Sequence, residues 1–308
     1  MESFYTSLDY QDLLEVSGQD CEKFLQGQVT CDLAHFANDQ YGLGALCNNK
    51  GRVYSSFRLL KHEDSFFMAM QPGLAEITQT TLNKYIPFYK AEIGDASTRY
   101  HRAGLYGPLA AEFLADHLQG LPDPGHGLTS GEHLVINLSS NLPRFEIWSS
   151  SADALAELLR NSNLPEQADS TAWQALDLEA GLFFIGVEDI EQYTPEEANL
   201  DLAGFVSFDK GCYTGQEIVA RMHYRGKAGK RLYIVTIENC PDLGQKTLHD
   251  SSGKILGNIT NLLYLNGNVK ALTVLKTTLD NSTTLALDGL NDDSVITVSM
   301  PDYSSQVA

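Results

Sequence analysis

Short runs of alternating or continuous apolar residues, broken by turn chemistry, dominate the first hundred positions. Leu13 to Val16 reads as a strand, and Asp20 is an N-cap for a helix carrying Phe24, Leu25 and Val29. Gly42 to Cys47 and Arg52 to Leu59 read as strands around Asn48-Asn49-Lys50-Gly51, whose Asn/Gly chemistry suits a hairpin turn. In the second of these, Val53, Ser55, Phe57 and Leu59 share one face; Ser65 to Met70 is a third strand. Pro72 fits the first turn of a helix with Leu74, Ile77, Thr81, Leu82 and Tyr85 at helical spacing, and Tyr89, Ala91 and Ile93 alternate as a strand. This is α+β order, not a regular βαβ array.

The pattern repeats further on. Arg102 to Tyr106 reads as a strand and Gly107-Pro108 starts a helix bearing Leu109, Phe113 and Leu114. Gln119 to Gly131 reads as a loop rich in Pro and Gly. Strands near His133 to Leu138 and Arg144 to Trp148 precede two helices, one with Leu155, Leu158 and Leu159, the other spanning about Ala172 to Ala180. After Lys230 no helical period remains: runs at Leu232 to Ile237, Ile255 to Leu265, Val269 to Leu275, Thr284 to Leu287 and Val295 to Val298 suggest a small β-barrel or sandwich of about 80 residues. We expect two interlocked α+β domains over 1–226, divided near 97, and a β-barrel over 227–308.

Composition narrows the function. Of 308 residues, 21 are basic and 40 acidic, a net charge of −19, which argues against a nucleic-acid-coating surface and against adsorption to an anionic membrane. The N-terminus has acids where a signal peptide needs a basic cap, and no apolar run approaches the ~18–20 residues of a membrane helix. Five cysteines, with no CxxC pair, and scattered histidines predict a cytoplasmic protein with reduced thiols and no metal site. Neither a P-loop, a G-x-S-x-G nor a complete dinucleotide fingerprint occurs.

One segment breaks the acidic trend. Lys210 to Arg231 holds six basic residues and one acid, a local +5 against −24 for the rest. It reads either as an anion site or as a cluster balancing the protein's own acids across a domain seam. Within it, Thr214-Gly-Gln-Glu217 has the form of a capping box, so a helix is expected to start at Thr214. Cys212 then faces the helix N-terminus, with Lys210 and His223 as nearby cations and Gly211 and Gly215 leaving the backbone open, surroundings that favour a reactive thiolate. Cys21, Cys31, Cys47 and Cys240 read as small buried hydrophobes.

Lys210-Gly-Cys-Tyr-Thr-Gly-Gln-Glu217, followed by Val219-Ala-Arg221, resembles the signature of the YgfZ family, in the superfamily of the folate-dependent aminomethyltransferases of glycine cleavage. Leu14 to Gly18, Phe24 to Thr30, Lys50-Gly-Arg52, Leu178 to Gly181 and Pro195 to Leu200 resemble family segments in the same order. The resemblance implies three domains around a central opening that binds folate (tetrahydrofolate), and a role in maintaining iron–sulfur enzymes, including those that thiolate tRNA. It implies Trp173 and Glu179 as pterin-side residues, Tyr10 as a folate cover beside Gln11, Arg221 and Arg225 near the glutamate tail, and Cys212 with Lys210 as the functional thiol site. Asn48 to Leu60 contains none of the acids that aminomethyltransferases carry there, which disfavours glycine cleavage. A folate-dependent one-carbon transferase or demethylase, and a non-catalytic RNA- or protein-binding scaffold, are the competing functions. Tight direct nucleic-acid binding is not expected.

Overall fold

The computed structural model describes residues 2–118, 120–138, 142–225, 228–278, 285–287, 290 and 293–303. Its elements, in chain order, are β1 (Phe4–Ser7), β2 (Asp12–Ser17), α1 (Cys21–Gln26), β3 (Tyr41–Cys47), β4 (Val53–His62), β5 (Ser65–Met70), α2 (Ala75–Asn83), β6 (Glu92–Asp95), β7 (His101–Tyr106), α3 (Pro108–Leu118), β8 (Gly127–Ser130), β9 (His133–Asn137), β10 (Arg144–Ser149), α4 (Ala152–Asn161), α5 (Thr171–Glu179), α6 (Gln216–Arg225), β11 (Lys230–Glu238), β12 (Thr247–Asp250), β13 (Ile255–Leu265), β14 (Asn268–Lys276), β15 (Leu285–Ala286) and β16 (Val295–Ser299).

They form three antiparallel sheets, ordered β3-β4-β5-β2-β6, β1-β7-β10-β9-β8 and β15-β12-β13-β14-β11-β16. The third curls into a barrel-like sheet over its own core of Val235, Ile237, Leu248, Val269 and Ala271, with a register shift between Thr260 and Leu263 in its longest strand. β1 belongs to the second sheet, Phe4 facing Tyr106 of β7, although the chain goes on directly to β2 of the first. α5 packs on β13 and β14, tying the second sheet's neighbourhood to the third. No described helix is long and apolar enough to cross a membrane.

Three local readings differ from the pattern-based ones. The Gly- and Pro-rich run before Gly131 contains a strand after all, because β8 has β9 as a template and pairs Gly127 through Ser130 along its edge. α1 begins after Asp20, but the Asp20 carboxylate caps nothing there; it accepts from the Lys90 backbone N–H (2.8 Å). α2 begins at Ala75, past Pro72, and the Asp12 carboxylate receives the Ala75 N–H (3.0 Å) from another strand. Of the expected Thr284 to Leu287 strand, Thr284 lies outside the described residues.

The Asn48–Gly51 hairpin forms as its sequence predicts. The Asn48 side-chain oxygen accepts from the N–H groups of Lys50 and Arg52, and Gly51 takes φ +68°. The turn then docks on the start of α6 through Gly215. A Cβ at Gly215 would sit 2.3 Å from the Asn48 carbonyl oxygen, and its φ of +87° is one that side chains resist. Gly215→Ala should therefore cost about 1–3 kcal/mol; a urea midpoint equal to wild type would show that the hairpin and helix can separate freely.

Candidate functional site

β4 is buried on both faces, and that property creates an interior polar site. Its odd positions Val53, Phe57 and Leu59 enter the core of the first sheet, while Arg58 and Leu60 point toward the second sheet and α5. Arg58, only 4% exposed, donates to Asp177 of α5 at 2.5 Å. Arg144 of β10 donates to the same carboxylate oxygen at 2.6 Å and also to the Trp173 carbonyl at 3.2 Å. Glu146, two residues along β10, lies 3.4 Å from Arg58 Nε, ion-pair range without a hydrogen bond, and accepts from Trp148 Nε1 at 3.1 Å. Arg102 of β7 closes the site, donating to the Gln11 carbonyl (2.6 Å) and its side-chain oxygen (3.3 Å).

Three guanidinium groups and two carboxylates thus stand in one interior, one positive charge in excess. Burial pushes the Asp177 carboxyl up, but Arg144 and Arg58 outweigh it and hold the group below the usual carboxylate range. Burial, then the Asp177 charge, raises the Tyr10 phenol, and burial takes Tyr41 to about 12, so both remain neutral hydrogen-bonding groups. Several buried polar atoms here have no hydrogen-bond partner: the Nε atoms of Arg58, Arg102 and Arg144, Glu146 Oε1 and Trp173 Nε1. Unpartnered buried polar atoms cost about 1–3 kcal/mol each, so each of these calls for a partner, whether water or ligand.

Of the residues singled out from sequence, the structure brings Tyr10 and Trp173 to this cluster, both packed in the same core. Trp173 is fully buried. The Arg144 guanidinium stands 3.9 Å from its ring centre, and Gly104 approaches so closely that a Cβ would lie 2.6 Å from the ring. Stacking of a flat heterocycle on Trp173 is therefore replaced by stacking on Arg144; what the indole has left to offer is its N–H. Glu179 is elsewhere. Six residues along α5 turns it to another face, where it pairs with Lys270 of β14 and lines a 620 Å³ cleft with Ala172, Ala175 and Asn268. The carboxylate bonded to a tryptophan is Glu146, on Trp148, and Arg144 links Trp173 to Asp177.

Around Cys212 the helix starts later than expected. α6 opens at Gln216, and the Thr214 hydroxyl donates to Gln28 Oε1 (3.2 Å) instead of capping the helix. Cys212 is the exposed cysteine; the other four are buried. Lys210 turns away from solvent, its ammonium donating to the carbonyls of Gln26, Val29 and Cys31 at 2.9, 2.7 and 2.7 Å. Burial lowers Lys210 to about 8, and the three carbonyl dipoles are what keep an ammonium in place. It anchors the loop that displays Cys212. His223 stacks on Phe208, ring centres 3.6 Å apart. Gly211 has open space around it, whereas Gly215 is the tightly packed glycine of the hairpin contact.

The basic segment divides accordingly. Arg231 pairs with Asp201 (2.6 Å) and Glu196 (3.6 Å), and Lys230 lies 4.0 Å from Glu197, so this end balances the protein's own acids. Arg221 is exposed on α6. The Arg225 side chain and Lys227 lie outside the described residues. No hydrogen bond, ion pair or ring contact among the described residues links Cys212, Lys210 or Arg221 to Trp173 or Tyr10. Nor does any group of three or more His, Cys, Asp or Glu among the described residues stand where it could hold a metal ion.

Sequence reasoning missed Arg58, Arg102, Arg144, Glu146 and Asp177. The signal was there: Arg58 interrupts Phe57 and Leu59-Leu60, and Arg144 and Glu146 alternate with Phe145 and Ile147. Charges at alternate positions of an apolar strand have one face to share, and in a chain of packed layers that face is interior.

Residues 9–122 match the family described as the GCVT N-terminal domain. A "tRNA-modifying protein YgfZ" of Photorhabdus laumondii is 36% identical over 228 residues, 74% of this chain and 69% of that protein. The Escherichia coli protein of the same description is 34% identical over 244 residues, 78% of this chain and 74% of its own. Among solved structures, the glycine cleavage system aminomethyltransferase T from Bartonella henselae superposes with a TM-score of 0.78 at 19% identity, covering 99% of this chain and 87% of that one. That likeness establishes the three-part aminomethyltransferase-like fold.

Proposed function

The chain belongs to the YgfZ family, whose curated members are described as tRNA-modifying proteins, and on that premise we propose that it is a folate-binding accessory factor that supports tRNA thiolation through iron–sulfur enzymes, with Cys212 as its working thiol. The observation that carries the folate assignment is the set of unpartnered polar atoms in the interior cluster. A pterin presents N–H donors on one edge and carbonyl and ring-nitrogen acceptors on another. Glu146 Oε1 and Arg58 Nε, an ion pair 3.4 Å apart with no hydrogen bond between them, are an acceptor for the first and a donor for the second, and Trp173 Nε1 is a further donor. Tyr10 and Tyr41, held neutral by burial, flank them. Folate, when bound, supplies a one-carbon carrier. Arg221 and Arg225, on α6, are proposed for the glutamate tail.

Glycine cleavage does not suit this interior. β4 places a cation there, Arg58, already committed to Asp177, and contributes no carboxylate of its own to handle an amine. Cys212 is the feature that carries the second half of the proposal, being displayed on an irregular loop by an ammonium locked beneath it.

The protein's two tryptophans, Trp148 and Trp173, both stand in the cluster, so tryptophan emission reports on this site alone. Titration with tetrahydrofolate should change that emission saturably. Glu146→Gln, which retains the shape but loses the charged acceptor, should weaken binding about tenfold or more, whereas Cys212→Ser should leave it unchanged. A flat titration in the wild type, with no heat by calorimetry, would remove folate from the proposal.

A further inference from the structure

We propose a second, separate ligand site: a pocket that takes a small organic carboxylate, built on Gln28 at the junction of α1, the Asn48–Gly51 hairpin and the start of α6. Three of the segments that mark the family in sequence meet there. Phe24 to Thr30 supplies Gln28, the hairpin that carries Lys50-Gly-Arg52 supplies Asn48 and Asn49 to one wall, and Lys210 to Glu217 supplies Thr214. None of them contributes a side chain to the interior cluster.

The pocket has a volume of about 200 Å³, with Leu46 and Cys47 as its apolar floor and Tyr85 and Lys84 toward its mouth. That is below the ~300–1,000 Å³ of sites for drug-sized molecules, so its occupant is small. Gln28 is 6% exposed. Its carbonyl oxygen is taken by the Thr214 hydroxyl at 3.2 Å, and its NH₂ group has no hydrogen-bond partner among the described residues. The amide NH₂ of this largely buried residue is therefore open to the cavity, where an acceptor can reach it.

Charge selects which acceptor. Lys84 is the one charged side chain among the lining residues, none of which is Asp or Glu, in a protein of net charge −19. Glu191, which is not among the lining residues, accepts from the Asn48 amide at 2.6 Å and from the Tyr54 hydroxyl. An open amide donor, a cation at the rim and an apolar floor suit a carboxylate on a small apolar body. Thr214 follows Cys212 by two residues, roughly 7 Å of chain at most, so the pocket and the exposed thiol share one loop. The carboxylate comes either from a free small molecule or from a partner chain's acidic side chain.

Benzoate and its neutral isostere benzamide separate charge from shape. In ligand-observed NMR titrations of the full chain, benzoate should bind at least about fivefold tighter than benzamide. Gln28→Leu should weaken benzoate about tenfold and Lys84→Met, an exposed change that leaves folding alone, about threefold. Tetrahydrofolate at saturation should leave benzoate affinity unchanged. A capped peptide with one aspartate, binding tighter than benzoate, identifies a partner's side chain as the source; binding weaker identifies a free molecule. Equal binding of benzoate and benzamide, no effect of Lys84→Met, or displacement by tetrahydrofolate overturns the proposal. The last would merge the pocket with the folate site and leave the folate reading standing.

Discussion

Cys212→Ser is expected to melt with the wild type and to fail completely in restoring tRNA thiolation to cells that lack the protein. The side chain is exposed and touches no core, so the substitution removes a sulfur and leaves packing alone. The other four cysteines differ in kind: burial raises Cys31 and Cys47 to about 12 and pushes Cys21 and Cys240 upward as well. Alkylation at neutral pH should therefore consume one thiol quickly and the rest only on unfolding, because a buried protonated thiol is a poor nucleophile. Serine variants of the four buried positions should change stability, not complementation. Full complementation by Cys212→Ser, or several thiols reacting at one rate, would reduce the loop to a structural connector.

Asp177→Asn should destabilise the fold by about 3–5 kcal/mol, because it leaves Arg58 and Arg144 buried without their shared counter-ion. The sign of the accompanying pH dependence follows from the depressed carboxyl. Between the folded and unfolded pKa values the unfolded chain binds the extra proton, so stability from Asp177 is complete above the unfolded value and is lost as pH falls through the folded one. Denaturation midpoints below about pH 4 should thus fall more steeply in the wild type than in the variant. A variant as stable as wild type at neutral pH would mean that the two arginines find other partners, and the argument from buried charge would collapse.

These two residues mark the boundary of what sequence discloses. The open loop around Cys212 is legible because Gly211 and the turn at Thr214 and Gly215 lie within a few positions of it. β2 and β5 are legible for the same reason, each an apolar run closed by turn residues at both ends, as are the strands of the third part other than β12, whose Thr247–Asp250 has a single core residue, Leu248. Asp177 is not, since its partners lie 119 and 33 residues away on different strands. β8 escaped because a strand on a sheet edge borrows its conformation from β9. The α6 start escaped because Thr214 has a stronger use for its hydroxyl on Gln28, a residue from the other end of the chain. Trp173 and Glu179, six apart, were read as a pair; a helix of 3.6 residues per turn sends them to different faces.

The threading of β1 has a consequence for biosynthesis. Its partner β7 leaves the ribosome about a hundred residues later, on the order of 5–20 seconds at usual elongation rates. By the end of that interval the first sheet has all five of its strands, whereas Phe4 to Ser7 has had no β7 to pair with and must wait as a free tether. Anything that occupies the tether meanwhile, a bulky tag or a chaperone slow to let go, would leave the first sheet sound and the second with β7 as an open edge, the arrangement through which nascent chains stick to one another.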